Sequence, residues 1–184
     1  MVHGKVKVKH GLITTLRVRI VSPARTIGRL QAPGLDVACA LGRSGVTRRK
    51  REGDGASPAA GLPLLYGYWR PDRQPVRPTT RLPLRPARRD LGWCDAPADR
   101  NYNRPVTLPY EQSHEEMVRA DRLYDVVVVL DWNIAPRRRG RGSAIFFHLA
   151  APSYTPTAGC VAVSAADMRR ILARLGPRAR IVIG

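Results

Sequence analysis

The run Leu123-Tyr124-Asp125-Val126-Val127-Val128-Val129-Leu130 constrains the fold more than any other stretch. Its β-branched character is nearly continuous and has no polar alternation, so it reads as a central strand buried on both faces. Asp131-Trp132-Asn133 ends it. Further strands are expected around it. Leu16 to Val21 alternates and reads as half-exposed, with Ser22-Pro23 as its stop. Gly34 to Leu41 follows, closed by Gly42; the two could pair, though the connection between them is long for a tight hairpin. Leu62 to Trp69 and Arg180 to Ile183 add two more. Between Arg70 and Arg89, Pro71, Pro75, Pro78, Pro83 and Pro86 exclude a central strand and leave Thr80 to Leu84 an edge at most.

Two short helices are expected. Ser113 with Glu116 has the form of a capping box, turning Met117 and Leu123 inward. Ser164 with Asp167 has the same form, followed by Met168, Ile171, Leu172 and Leu175 on one face and Gly176-Pro177 as the stop. The chain is therefore mainly β, with short helices packed on the strands. Its 184 residues suit one domain, residues 11–184, behind a basic, polar segment at residues 1–10.

Chemistry concentrates late in the chain. Ser143-Ala144-Ile145-Phe146-Phe147-His148 reads as a buried strand ending in an imidazole, with Ala144, Phe146 and His148 on one face. Thr157-Ala158-Gly159-Cys160-Val161-Ala162-Val163-Ser164 is a small-residue turn feeding a second strand. Adjacent strands would bring His148 within reach of Cys160, and a thiol needs such a base near neutral pH. Gly159 lets the backbone turn tightly and leaves N–H groups to face an oxyanion. Read singly, a buried cysteine is a small hydrophobe and a histidine after Phe-Phe a satisfied core residue. Cys94 is a weaker nucleophile candidate, because the neighbouring Asp95 opposes a thiolate.

Cys39, Cys94 and Cys160 fit no zinc spacing, and the odd count leaves at least one thiol unpaired in a monomer. A Cys39–Cys94 disulfide stays open. The formal net charge of +18 implies attraction to polyanions. No phosphate loop or nucleic-acid motif accompanies the basic Pro-rich segment, which argues against sequence-specific nucleic-acid binding. The polar loop from Asp90 to Tyr110 suits a rim for a polar ligand, or else a tightly folded surface loop. Trp93, Asn101 and Tyr102 within it, with Thr157, are the candidate substrate-binding residues.

At His148 and Thr157-Ala158-Gly159-Cys160 the sequence resembles the L,D-transpeptidase catalytic domain, the YkuD or ErfK/YbiS/YcfS/YnhG type. That family has a strand-end His, then Ser/Thr-His-Gly-Cys and usually an Arg two residues beyond the Cys. Lys50, Gly55, Ser57 and Pro58 resemble a second family segment that borders the active-site sheet. The resemblance implies a β-sandwich-like fold, Cys160 as acyl-accepting nucleophile, His148 as base, and no metal or organic cofactor. It implies peptidoglycan stem peptides as substrate; the basic charge, separately, makes anionic envelope polymers a candidate partner. Ala158 replaces the family's second His, and Ala162 its Arg. The missing Arg bears on recognition of the substrate carboxylate more than on acyl chemistry.

The resemblance implies a periplasmic or envelope location. Met1 to His10 lacks the apolar stretch of a signal peptide, which points to the cytoplasm if this N-terminus is complete, and no run approaches a membrane span. Two other readings use the same residues: a carboxypeptidase or other thiol amide hydrolase, and a non-catalytic basic binding module with a structural Cys160.

Overall fold

The valine run forms the strand Val126–Leu130, and all five residues are buried. A computed structural model of the chain describes residues 11–184; the basic segment at 1–10 lies outside the described residues. In chain order the first strands are β1 (Ile13–Ile20), β2 (Ile27–Ala32), β3 (Leu35–Ala40), β4 (Val46–Thr47) and β5 (Ser57–Pro58). Then come β6 (Gly61–Trp69), β7 (Leu84–Pro86), β8 (Leu91–Cys94), β9 (Arg104–Thr107) and β10 (His114–Glu116). The valine strand is β11, followed by β12 (Phe146–Leu149), β13 (Val161–Val163), the helix α1 (Ala165–Leu172) and β14 (Leu175–Ile183).

The strands run in the order β11-β12-β13-β3-β2-β1-β14-β6, and β6 pairs back onto β11, so the sheet closes into a barrel. The sandwich-like expectation is thus met by a closed form of the same mainly β architecture. Closure removes the exposed edges that an open sheet would present. β7 adds to the end of β6 beside Gly67–Trp69.

Double burial of the valine run has a simple cause. Val126, Val128 and Leu130 point into the barrel, where Phe147, Leu149, Val161 and Val163 join them. Val127 and Val129 point outward into a second apolar layer with Phe146, Trp93, Met117, Tyr124 and Cys160. That outer layer is covered by a three-stranded sheet, β10-β8-β9. The candidate chemistry therefore sits on the outer face of β11–β12–β13, between barrel and cover.

Several expectations need correction. The first and third strands do not pair; β2 lies between them and pairs with both. The segment after Ser113 is strand, not helix, because His114, Glu115 and Glu116 pair with Cys94, Trp93 and Gly92. A capping box is a local signal, and no apolar helical period follows it to outweigh this pairing. The helix after Ser164 forms as expected, with Ser164 Oγ accepting from Asp167 N at 3.1 Å and Met168, Ile171 and Leu172 buried. It ends before Leu175, which instead opens β14 and pairs with Ile13 in the parallel β1–β14 ladder. Gly176-Pro177 falls where that register shifts, a site at which a strand tolerates proline. All three cysteines are free and buried, so no Cys39–Cys94 disulfide forms.

Candidate active site

Strands β12 and β13 run parallel, with His148 opposite Ala162. Cys160 stands just before β13, and its Sγ receives the Phe146 N–H at 3.3 Å. His148 and Cys160 are thus diagonal neighbours on one face, and both line a cleft of about 350 Å³. The His148 strand starts later than the sequence implies. Ala144 stands outside it at φ 50, in the left-handed region that a residue with a Cβ seldom visits. Asn103 holds it there: its Oδ1 accepts from Ala144 N at 3.1 Å. The kink aims the Ala144 carbonyl at the nucleophile candidate, and Cys160 Sγ donates to it at 3.3 Å.

His148 Nδ1 lies 2.8 Å from the Leu149 carbonyl. A carbonyl only accepts, so Nδ1 carries the proton and Nε2 keeps its lone pair. Tyr124 packs edge-on against the imidazole with ring centroids 5.1 Å apart. Burial pushes the Cys160 thiol up to about 12 and pulls the His148 imidazole down to about 4. The resting pair is therefore neutral thiol and neutral imidazole, not an ion pair.

This has a consequence for stability. Between pH 4 and 6.5 the unfolded chain binds a proton at His148 that the folded chain does not. Stability from this group is complete above the unfolded value and is lost as pH falls toward 4, by up to about 3 kcal/mol. Cys160 works in the opposite sense: its contribution is complete below pH 9 and fades as pH rises toward 12. Urea midpoints at pH 7 and pH 5 should differ strongly in the native chain and much less in His148→Gln. An equal acid loss in the variant would assign the effect elsewhere.

The loop carrying Cys160 is clamped from the N-terminal half of the chain. Ser57, fully buried, accepts from Gly42 N at 2.9 Å and donates to the Cys160 carbonyl at 3.3 Å. Thr157 Oγ1 donates to the same carbonyl at 2.8 Å and accepts from Gly159 N at 3.1 Å. Gly159 is at φ +136, and a Cβ there would meet the Ala56 carbonyl at 2.8 Å. Gly159→Ala should cost about 1–3 kcal/mol through backbone strain and should slow modification of Cys160. Chemical denaturation and thiol labelling would read both; native values for each would mean that the turn tolerates a side chain.

The candidate substrate residues separate. Thr157 lines the cleft. Trp93 is buried beneath Phe146 at 5.1 Å and donates to Asn103 Oδ1 at 3.0 Å. Tyr102 is buried behind the wall, its hydroxyl donating to Glu52, which itself lines the cleft. Asn101 bonds Tyr110 at 2.9 Å beside a different depression. Asn103 was not singled out by sequence reasoning, yet it organises the region. Besides Trp93 and Ala144, it donates to the carbonyls of Trp132 and Asn133, both at 3.0 Å. Within a loop of Asn, Asp and Tyr, nothing local distinguishes it. Ser57 had a signal, the Gly-x-Ser-Pro segment. Cys94 does not line the cleft, and burial raises its pKa, with Asp99 and Asp95 adding to the rise.

The family described as YkuD, L,D-transpeptidase catalytic domain, matches residues 17–183. The chain belongs to the L,D-transpeptidase catalytic domain family. No curated protein and no solved structure matches it. Membership makes the chain an enzyme with a cysteine-based active site that acts in acyl transfer on peptidoglycan. Among the described residues no helix is long and apolar enough to cross a membrane.

As an L,D-transpeptidase domain, this one has an unusual cleft chemistry. Ala158 and Ala162 line it, so neither offers a charge beside Cys160. Three cations line it instead: Arg43, Lys50 and Arg119. Lys50 pairs with Asp54, and Arg119 pairs with Asp121 at 2.7 Å and Glu115 at 3.7 Å. Arg43 makes no ion pair among the described residues. Its backbone N–H donates to the Thr157 carbonyl at 2.8 Å, which keeps it beside the nucleophile loop.

Proposed function

We propose that the chain transfers acyl groups from peptidoglycan stem peptides through a thioester on Cys160, with His148 as the base. The observation that carries this is the opening of both side chains into one cleft, with His148 Nδ1 fixed on the Leu149 carbonyl. Because thiol and imidazole rest neutral, proton transfer accompanies attack. Nε2 takes the Cys160 proton as sulfur bonds to the scissile carbonyl carbon. The Gly159 N–H is engaged by Thr157, which leaves the amide of Cys160 itself as the oxyanion donor. The protonated His148 then gives its proton to the leaving nitrogen, the tetrahedral adduct collapses with cleavage of the C–N bond, and D-alanine departs, leaving the thioester. An acceptor amine, losing its proton to His148, attacks the thioester and restores the thiol. Asp95 and Glu115, both lining the cleft, draw in the acceptor as its ammonium, which sheds one proton to solvent before the neutral amine attacks. This chemistry belongs at the cell envelope, where peptidoglycan lies.

Arg43 is the group that meets the donor's terminal carboxylate where Ala162 offers nothing. Intact mass after incubation with a stem tetrapeptide should show a thioester that is lost in Cys160→Ala. In Arg43→Gln, KM for the free-acid peptide should rise about 5- to 50-fold, as for loss of a charge-assisted bond, with little change for its C-terminal amide. Equal effects on acid and amide would remove Arg43 from carboxylate recognition. No adduct with any stem peptide would remove the proposed donor.

A further inference from the structure

A second cavity, about 520 Å³, lies on the far side of Lys50 from the catalytic cleft. Arg48, Arg138 and Arg141 line it, and each is exposed and makes no ion pair among the described residues. One carboxylate, Asp131, lines it too. Trp132, half-buried, and the exposed Ala135 and Pro136 add apolar surface to its lining.

The arginines stand on a built scaffold. Asn133, at φ 56, donates from Nδ2 to the carbonyls of Arg138 and Gly142, both at 3.0 Å, and accepts from Arg138 N at 2.8 Å. Trp132 Nε1 donates to the Arg141 carbonyl at 2.9 Å. Asn103 anchors the start of the loop from beneath. The Glu52 N–H donates to the Gly140 carbonyl at 2.9 Å, joining this loop to the segment that carries Arg48. The arginines thus reach one groove from two chain segments. Three cations against one carboxylate leave the groove net positive, and the guanidinium fork suits phosphate oxygens.

We propose that this groove docks a phosphodiester-linked polyol, with Arg48, Arg138 and Arg141 contacting successive phosphates and the apolar surface at Trp132 receiving the carbon segments between them. A stem peptide brings its terminal carboxylate singly, to the scissile bond, whereas this groove offers several cations to a chain charged at every repeat. A single strand of nucleic acid is a poorer fit, because Trp132 alone among the groove residues offers a face on which a base could stack. Lys50 belongs to the walls of both cavities, so a polymer held here lies beside the catalytic cleft. Docking does not depend on thioester chemistry.

The test is titration of the full chain with oligo(glycerol phosphate), followed by Trp fluorescence and calorimetry at low and physiological ionic strength. Arg138→Gln/Arg141→Gln should weaken binding about tenfold or more through lost phosphate contacts. Arg17→Gln/Arg19→Gln on β1 removes the same charge from an exposed strand face and should weaken it about twofold or less. Arg48→Gln, outside the Asn133 loop, should also weaken binding, which guards against misfolding of the double variant. Cys160→Ala should bind as the native chain does, separating this inference from the acyl-transfer reading. Equal losses from the two pairs, or none from Arg48→Gln, would overturn the groove in favour of diffuse attraction. Tighter binding of duplex DNA with the same number of phosphates would overturn the flexible polyol as its occupant.

Discussion

Phe146→Ala should destabilise the fold by about 3–5 kcal/mol, the cost of deleting a fully buried aromatic ring and leaving a cavity. Phe146 sits between barrel and cover. Its ring meets Trp93 edge-on at 5.1 Å and Tyr124 at 5.8 Å, and Val127 and Val129 belong to the same cluster. None of these groups is positioned to collapse freely into the gap, because Trp93 is tethered to Asn103 and the valines are fixed in the barrel ladder. The same cavity would loosen Tyr124, the ring packed edge-on against His148, so acylation should slow as well. Urea denaturation checks the first effect and labelling kinetics the second. A change below about 1 kcal/mol would mean that the outer layer is not a packed core.

His148→Ala should slow acylation of Cys160 by about 10²- to 10⁴-fold, the range for loss of a general base. The direction follows from the buried pair. With the thiol pushed up to about 12, almost no thiolate forms at neutral pH unless something takes the proton. Slow residual labelling should remain and should increase with pH, since hydroxide then supplies the missing base. Cys160→Ala should lose the adduct entirely while the fold persists. The side chain is small, and its contacts to Phe146 N and the Ala144 carbonyl, at 3.3 Å each, are weak because a thiol is a weak donor and acceptor. An unchanged rate in His148→Ala would detach the imidazole from the chemistry.

Much of this was legible because some signals survive without tertiary context. Four consecutive valines have no amphipathic alternative, and the structure buries them on both faces. Ser164 with Asp167 caps a helix whose apolar face faces the interior, so local and global preferences agree. His148 on β12 and Cys160 at the entry to β13 come together because the chain between them is long enough for a parallel crossover. What was hidden depends on distant partners. Ile27 to Ala32 contains Gly28, Arg29 and Gln31, a polar pattern that becomes β2 only because β1 and β3 flank it. Ser113 advertises a helix locally, but β8 offers its unpaired edge and takes the segment as strand. Asn103 and Arg43 look ordinary in sequence. Their importance comes from contacts made 41 residues away at Ala144 and with Thr157 across the fold.

Whether Cys160 and His148 act together as nucleophile and base is read by peptide mapping of the covalent adduct. The native chain and His148→Ala would be incubated with an activated acyl donor, digested, and the modified peptide identified over a time course. Modification is expected at Cys160 alone, with Cys39 and Cys94 unmodified and the His148→Ala adduct forming at least about 10²-fold more slowly. Modification at Cys94, or equal rates in the two proteins, would contradict this pairing of nucleophile and base.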